Sequence, residues 1–488
     1  MRLFGRGLVV SLVLCAWACG DDAGGSGGGG TGQGSTGSGA SGQGSTTSSS
    51  TASSGTGGEG GATSCVPGET RACYGGLPGT EGQGTCVPGV ETCNATGDGY
   101  GPCEGEVLPQ VEDCATPADE SCDGVDCGQT LWARWLGVGT YGIAGAALDV
   151  VDWQGRIAVG AALMNAADPM KLSGVGIVEL DVSGMTSQVR TFASALGTVT
   201  AIELAAGEDG TLAFGAVAAN DLDLGGGPLD GLVVAKLDAG GQHLWSKAFP
   251  AGNFGADQLT AMTQTVEGDV VVAGFAAAGL DLGDGPLPQG GFVARFASAD
   301  GALVASAALG FTSQRVRVVA LDDGRFVVAA SPKLSILEAD LTESCAAAVT
   351  INASGLDRAP DGTVWVAHAV FGGIDAFSVA PDCSTTPPFT IAVAQPLNPA
   401  LAVAKNGDLF VSWSPGGTSQ TISRRGPGGA EIWTRVYPAT NVVDQEVVLL
   451  DGIWPIASSL AITGGIGAGI DYGTGPLDPG VAIGRVAP

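Results

Sequence analysis

From Leu131 to Pro488 a glycine turn between two apolar segments recurs seven times, and this repeat predicts an all-β fold, a seven-bladed β-propeller. Most of these turns contain Asp-Gly or Asn-Gly, the strongest short-range signal for a β-hairpin. They are centred on Gly155, Gly210, Gly268, Gly324, Gly362, Gly407 and Gly452. Successive turns are 38 to 58 residues apart, a spacing typical of radial repeats with four strands in each unit.

A second hairpin follows the first in many of these units. Residues 231–238 are mostly apolar, Gly240 and Gly241 supply a turn, and residues 243–249 return. Residues 291–296 repeat the pattern before a turn at Asp300 and Gly301. Because two hairpins make a four-stranded antiparallel sheet, each unit has the size of one propeller blade.

The two ends of the repeat region predict how the ring closes. Residues 131–137 match the fourth strand of a unit, and residues 481–486 match the third strand. A chain that begins on strand four and ends on strand three can pair its ends in one shared blade. Such closure removes the exposed sheet edges that would invite aggregation.

The blade repeat resembles the SBBP-type β-propeller repeats of exported bacterial surface proteins, and the resemblance extends over residues 131–488. It implies an architecture and not a reaction. Cys345 and Cys383 lie in the degenerate units around Gly324 and Gly362. In an oxidising compartment we expect a disulfide between them, and the alternative is two buried free thiols.

The N-terminus has the layout of a secretory signal peptide over residues 1–18. Arg2 and Arg6 precede a short apolar stretch, and small residues flank a cleavage point before Cys19. This segment resembles a bacterial lipobox, which implies that the thiol of Cys19 is lipidated. It departs from that pattern at Ala16 and Trp17. The alternative is an ordinary signal peptide cleaved nearby, with Cys19 left as a thiol.

Residues 19–64, which begin with the lipidated cysteine, are predicted to form a disordered tether. The segment from 23 to 64 is almost entirely Gly, Ser and Thr, and Glu59 is its only charged residue. Such a sequence buries too little apolar surface to offset the entropy lost on ordering. A flexible coil of this kind can hold a folded domain away from a membrane surface.

Residues 65–130 are predicted to form a small, acidic, disulfide-rich module. The segment contains few large apolar residues, so cross-links must supply its stability. Its eight cysteines are Cys65, Cys73, Cys86, Cys93, Cys103, Cys114, Cys122 and Cys127. Eight cysteines allow 105 pairings, and the sequence leaves the choice among them open.

One element of this module, residues 119–124, resembles the Asp-Glu-x-Cys-Asp-Gly element of MopE-type surface proteins, some of which bind metal. Carboxylates with turn carbonyls suit Ca²⁺ as a ligand set. The candidate calcium ligands are Asp119, Glu120, Asp123 and Asp126. A solvated acidic surface is the alternative, so we expect no cofactor, with calcium as the open exception.

Loops that contain Asp, Gly and Pro recur between the two hairpins of a unit. They span Asp221–Leu229, Asp281–Leu287 and Asp471–Leu477. Their carboxylates and carbonyls could bind Ca²⁺, but a tight Gly-Pro turn repeated by blade duplication is the better explanation.

Charge and composition exclude several kinds of function. The formal charge is −29 at neutral pH, and no basic footprint for a nucleic acid is present. The only histidines, His243 and His368, fall in predicted strands, where we expect structural roles. The chain contains no Gly-Lys pair, so it has no Walker-type phosphate loop. No residue is identified as catalytic.

The sequence therefore predicts an exported lipoprotein, held in the bacterial cell envelope by the lipid on Cys19, at the outer membrane or cell surface. Its propeller is expected to bind or adhere to a surface protein or a glycan without catalysis. One alternative is a propeller hydrolase or lyase that acts on extracellular polysaccharide. A second alternative is a calcium-dependent structural scaffold. A fold by itself does not choose among them.

Overall fold

The computed structural model describes residues 65–487 apart from internal gaps, and every described residue belongs to one compact unit, Thr63–Pro488. The gaps are 111–117, 123, 126, 128, 136–142, 166–167, 194–198, 251–256, 311–314, 349–352, 395, 416–418, 441–451, 457–458, 465–468 and 471–481. The predictions for the signal peptide, the tether and Cys19 lie outside the described residues.

Every regular element in the described part of the chain is a β-strand. The N-terminal module contributes one antiparallel pair of strands, β1 (Thr70–Cys73) and β2 (Gly89–Thr92). In the module, disulfides join Cys65 to Cys93, Cys73 to Cys103, and Cys86 to Cys122. Cys127 is also disulfide-bonded, and Cys114 lies outside the described residues. The predicted cross-linking is confirmed for these seven cysteines.

The remaining strands form sheets that are named here by their first strand. The strand bounds are β3 (Thr130–Trp135), β4 (Ile143–Trp153), β5 (Arg156–Asn165), β6 (Asp168–Leu180), β7 (Thr186–Ala193), β8 (Val199–Ala206), β9 (Leu212–Asp223), β10 (Pro228–Leu237), β11 (His243–Phe249), β12 (Gln258–Gln264), β13 (Val270–Ala276), β14 (Gly290–Phe296), β15 (Leu303–Ala308), β16 (Arg317–Ala320), β17 (Phe326–Ala330), β18 (Lys333–Leu337), β19 (Glu343–Ala348), β20 (Ala353–Arg358), β21 (Val364–Val370), β22 (Gly373–Val379), β23 (Phe389–Ala392), β24 (Pro396–Val403), β25 (Leu409–Pro415), β26 (Ser419–Arg425), β27 (Glu431–Thr440), β28 (Gly452–Ile456), β29 (Ser459–Gly464), β30 (Gly469–Ile470) and β31 (Ala482–Val486).

The sheets are antiparallel and follow one another along the chain. Four-stranded sheets start at β4, β8, β12, β16, β20 and β28, and the β24 sheet has five strands because β30 pairs with the end of β27. The prediction of seven four-stranded blades is therefore wrong in its count, because only six of the described sheets have four strands and the β24 sheet has five. β27 is long enough to extend beyond β26, so its last two residues take the short β30 as a partner.

The first strands contact one another in a ring, in the order β4, β8, β12, β16, β20, β24, β28 and back to β4. This arrangement confirms a β-propeller. The β28 sheet contains both ends of the region, because β3 pairs with β31, with Arg134 opposite Ile483. This is the pairing that the sequence pattern predicts.

The apolar core lies between neighbouring sheets. Every residue of β13 and of β17 is buried, because a sheet covers each of their faces. Glycine on the second strand lets the next sheet approach closely. A Cβ added at Gly215 would lie 2.3 Å from the Leu259 side chain, and one at Gly160 would lie 2.9 Å from Ile202.

The turns between first and second strands and those between third and fourth strands lie at the same end of each sheet. We call this end of the ring the turn face. Most of these turns carry an Asp or Asn whose Oδ1 accepts the N–H two residues later, as in an Asx turn. These residues are Asp181, Asp209, Asp238, Asp300, Asp323, Asp340, Asp361, Asp382 and Asn406.

The N-terminal module also packs against the propeller. Arg435 of β27 donates a hydrogen bond of 2.9 Å to the carbonyl of Cys127. The Cys127 side chain is buried in one apolar cluster with Trp433 and Val486. The described residues contain no helix that is long and apolar enough to cross a membrane.

Candidate functional site

A groove of about 520 Å³ opens on the turn face between the β16 sheet and the β20 sheet. Its floor is apolar and includes Val327, Ile336, Val364 and Val379. Carboxylate, guanidinium and hydroxyl groups surround that floor. The residues that supply them are Asp322, Asp323, Arg325, Asp361, Thr363, Ser378, Ser384, Thr385 and Thr386.

In most of the other sheets, a charged side chain occupies the position on the third strand that borders this groove. The penultimate residue of the third strand is Glu179, Lys236, Arg295, Arg424 or Arg485 in five of the sheets. In the β16 and β20 sheets this position is occupied by Ile336 and Ser378. The described groove therefore coincides with the break in this repeated pattern.

Lys236 shows what the charged residue does in the β8 sheet. Its side chain is only 1% exposed. Its Nζ donates to the carbonyl of Gly268 at 2.7 Å and to the hydroxyl of Ser298 at 2.8 Å, both in the neighbouring β12 sheet. It also lies 3.5 Å from the carboxylate of Asp209. Lys236 thus fills the gap between two sheets with a fully paired cation.

Arg295 performs the same task one sheet further along. It forms an ion pair of 2.8 Å with Asp269 and donates a hydrogen bond of 2.8 Å to the carbonyl of Ala339 in the β16 sheet. Ile336, which follows at the same position, carries no polar group and is 1% exposed. Its short side chain cannot span the gap, so the space between the β16 and β20 sheets stays open.

Arg325 closes only one edge of this space. Its guanidinium binds Asp323 at 2.6 Å and donates to the carbonyl of Pro381 at 3.3 Å. Asp322 pairs with Arg358 at 2.6 Å. Asp361 accepts the N–H of Thr363 at 2.9 Å, and no described Lys or Arg pairs with it. The groove therefore keeps an excess of negative charge.

A disulfide joins the two sheets that form the groove. Cys345 lies on the outer strand β19, and Cys383 lies in the turn between β22 and β23, with their Cα atoms 5.9 Å apart. The predicted bond between these two cysteines is confirmed. Because it crosses from one sheet to the next, it limits how far the groove can widen or narrow.

Carboxylates on the first strands form a second polar region, along the central channel. Asp149 accepts the N–H of Val150 at 2.8 Å and that of Leu204, in the next sheet, at 2.7 Å. Burial, and then the charge of Asp149, raises the pKa of Glu203 to about 8, although Arg317 opposes this shift. The protonated form of Glu203 is therefore favoured at neutral pH.

Asp357 repeats the structural contact of Asp149. It accepts the N–H of Val403, in the β24 sheet, at 2.7 Å and that of Arg358 at 2.8 Å. Burial raises the pKa of Asp357 to about 6, against the lowering effect of these two hydrogen bonds. Asp357 also borders a cavity of about 380 Å³ at the turn-face end of the first strands, which the β8, β12, β16 and β20 sheets line together.

Two of the four calcium ligands predicted in the N-terminal module, Asp119 and Glu120, lie among the described residues. Asp119 accepts the N–H of Gly124 at 2.9 Å and the hydroxyl of Ser121 at 3.3 Å, which makes it part of a turn. Glu120 is described, whereas Asp123 and Asp126 lie outside the described residues. Across the part of the chain that is described, no group of three or more His, Cys, Asp or Glu could hold a metal ion.

The Asp-Gly-Pro loops use their carboxylates to shape the backbone. One oxygen of Asp223 accepts the N–H groups of Gly225 and Gly227. Asp281 does the same with Gly283 and Gly285. This geometry supports the tight-turn interpretation for the first two loops. The third loop, residues 471–477, lies outside the described residues.

The two histidines lie on strands and serve local contacts. Nε2 of His243 is 3.0 Å from the hydroxyl of Ser246. The ring of His368 packs edge-on against Phe377, and burial lowers its pKa.

The groove is not predictable from the sequence alone. The sequence feature that marks it is the pair of uncharged residues, Ile336 and Ser378, at the penultimate position of the third strand, which is charged in the other five sheets. This feature can be recognised only after the third strands have been aligned.

No family model matches this chain, and no curated protein matches it. The SBBP-type and MopE-type resemblances therefore have no support from a family match. Several solved structures are similar to this chain. They include virginiamycin B lyase from Staphylococcus aureus, at 12% identity over 73% of this chain and 99% of that chain with a TM-score of 0.46.

Two further structures are similar in the same way. The β-propeller domain of Cps50 (Swd1) from Myceliophteria thermophila is 12% identical over 74% of this chain and 99% of that chain, with a TM-score of 0.45. BamB from Moraxella catarrhalis is 11% identical over 74% and 99%, with a TM-score of 0.39. At these levels of similarity the structures say nothing about ligand or reaction, so function must be argued from the residues of this chain.

Proposed function

We propose that this chain is an envelope-anchored binding protein. In this proposal a lipid on Cys19 attaches it to the bacterial membrane, at the outer membrane or cell surface. Residues 19–64 act as a tether, and the disulfide module and propeller are presented to a surface protein or a glycan. The proposal involves no catalysis.

The groove between the β16 and β20 sheets is the observation that carries the binding role. It combines an apolar floor with a polar rim, which is the usual composition of a ligand site. A disulfide and neighbouring Asx turns hold its walls, so little ordering entropy would be lost on binding.

The test compares two bulky substitutions in the full-length chain. Thr385→Trp puts a large ring into the groove from an exposed position. Gln242→Trp, the matched control, makes the same type of change at an exposed turn of the β8 sheet. Binding of the labelled protein to isolated cell envelopes and to a glycan array should fall at least about tenfold for Thr385→Trp only. Equal binding by both variants would contradict a role for the groove.

Anchoring is tested separately. The full-length chain should partition into the detergent phase of a Triton X-114 extraction, and Cys19→Ser should move it to the aqueous phase. Retention of Cys19→Ser in the detergent phase would exclude this lipid as the attachment.

Action on polysaccharide is the second candidate function, favoured by the channel carboxylates. Glycoside hydrolysis requires a pair of carboxyl groups of which one acts as the acid, and Glu203, with its pKa raised to about 8, lies near Asp149. The test is release of reducing ends from extracellular polysaccharide. Glu203→Gln should remove any such activity, whereas Glu267→Gln, at an exposed position in the turn between β12 and β13, should retain it.

A further inference from the structure

We infer that the groove accepts a lysine or arginine side chain from a partner protein, in the place that Lys236 fills within the β8 sheet. This inference rests on the proposed binding function and specifies the class of partner. It follows from comparing two gaps between sheets in the same molecule, one occupied by an internal cation and one open.

Lys236 and Ile336 occupy the same position in their sheets. Each is the penultimate residue of the third strand, and each pairs with the second strand of its own sheet, Lys236 with Ala213 and Ile336 with Val327. Lys236 extends towards the next sheet, and Ile336 packs towards the next sheet with Val364. At this position the two gaps differ in the length and charge of the side chain. The groove also differs in having Arg325 at one edge, where it pairs with Asp323 and donates to the carbonyl of Pro381.

Two of the three oxygen acceptors that surround the Lys236 ammonium have counterparts around the groove; the third, the Ser298 hydroxyl, has none because Pro381 occupies its position. Gly268, whose carbonyl accepts from Lys236, corresponds to Gly362, and both have a positive φ, of 84° and 86°. Asp209 corresponds to Asp323, which already pairs with Arg325. Asp361 adds a further carboxylate, which no described Lys or Arg neutralises. A cation that enters the groove thus meets the same kinds of acceptor.

The shape of the groove fits a long cationic side chain. Its apolar floor, formed by Val327, Ile336 and Val364, suits the methylene stem of a lysine or arginine, while the carboxylates lie near the end where the charge would be. Its described lining contains no aromatic ring on which a sugar could stack. These features favour a basic segment of a protein over a glycan.

The experiment uses the full-length chain and a fluorescein-labelled peptide of four Gly-Lys repeats, followed by fluorescence anisotropy. A peptide of four Gly-Gln repeats controls for charge. We expect the Gly-Lys peptide alone to bind, and we expect its affinity to fall as salt is raised. The decisive evidence comes from substitutions that change the groove and leave the rest of the acidic surface intact.

Ile336→Lys supplies the missing cation internally, as Lys236 does, and should weaken peptide binding at least about tenfold, or about 1.4 kcal/mol. Asp361→Asn should weaken it by about threefold to tenfold. The Asx turn survives this change, because Asn406 accepts the same type of bond in the next sheet. Asp238→Asn removes one charge from a distant turn of the same face and should alter binding less than about twofold.

Melting curves establish whether each variant is folded, and Asp361→Asn remains informative if Ile336→Lys does not fold. Peptide binding that is insensitive to both Ile336→Lys and Asp361→Asn would overturn the inference, because the peptide would then bind the general acidic surface. Groove-dependent binding of a glycan, without peptide binding, would also overturn it and would leave the proposed function standing. Loss of envelope and glycan binding by every form of the chain would instead refute the proposed function.

Discussion

Replacing Glu203 by Gln should change how the stability of the propeller depends on pH. The Glu203 carboxyl has a folded-state pKa of about 8, against an ordinary value of 4.5, because burial and the charge of Asp149 disfavour its ionised form. Between these two pH values the folded chain holds a proton that the unfolded chain has released. The stability that the chain derives from binding this proton is therefore fully present below pH 4.5 and is lost as the pH rises through 8.

The magnitude follows from the difference between the two pKa values. At about 1.4 kcal/mol for each pKa unit, the ceiling is about 5 kcal/mol between pH 4.5 and 8. Glu203 is partly accessible in the channel, and Arg317 compensates some of its charge. We therefore expect a loss of about 2 kcal/mol in the wild type. Glutamine is neutral throughout this range, so Glu203→Gln should lack that loss.

The assay is urea unfolding of the full-length chain at about pH 5, 6.5 and 8. Glu203→Gln should match the wild type near pH 5 and should exceed it by about 2 kcal/mol near pH 8. Glu208→Gln, at an exposed position, should follow the wild type at every pH. Both variants keep the smaller decrease in unfolding free energy with rising pH that Asp357 contributes up to about pH 6. Parallel curves for the wild type and Glu203→Gln would show that Glu203 is already ionised in the fold, and would refute this reasoning.

Three further predictions concern the contacts between sheets and the metal question. Replacing both Cys345 and Cys383 by Ser should lower the free energy of unfolding by about 4 kcal/mol, measured by chemical denaturation. This is the entropic contribution expected from closing a loop of about 38 residues. An unchanged unfolding midpoint would contradict it. Lys236→Met should lower the free energy of unfolding by about 3 kcal/mol. It removes the donor to the buried Gly268 carbonyl and to the partly buried Ser298 hydroxyl. Lys405→Met, at an exposed site, should be close to neutral in the same measurement. Millimolar calcium should leave the melting temperature within about 1 °C of its value in chelator. Calcium can raise that temperature only by binding the folded chain, and the described residues hold no group of three or more ligands for it. A rise of several degrees would revive the calcium-dependent scaffold.

The strands, their turns and the closure of the ring could be predicted because they depend on residues close together in sequence. An Asp-Gly step between two apolar segments specifies a hairpin locally, as at Gly210 and Gly324. The types of strand at the two ends were enough to predict that β3 pairs with β31. The extra strand β30 was not predictable, because it depends on how far β27 extends beyond its neighbour.

The choice among disulfide pairings belongs to the tertiary structure. Composition shows that residues 65–130 need cross-links, yet Cys65 could pair with any other cysteine until the chain is folded. The same holds for Asp149, whose partner, the N–H of Leu204, lies in the next sheet. Without that sheet, nothing in the sequence distinguishes Asp149 from a solvated carboxylate.

By itself, therefore, the sequence determined the repeated unit, the acidic character and the positions where cross-links were needed, because turn chemistry and apolar periodicity act over a few residues. Only the tertiary structure decided where a site could form. The groove exists because Ile336 meets Gly362 across a gap that Lys236 fills elsewhere in the ring. Contacts between sheets depend on side chains brought together from distant parts of the chain, so no local pattern could reveal which gap would stay open.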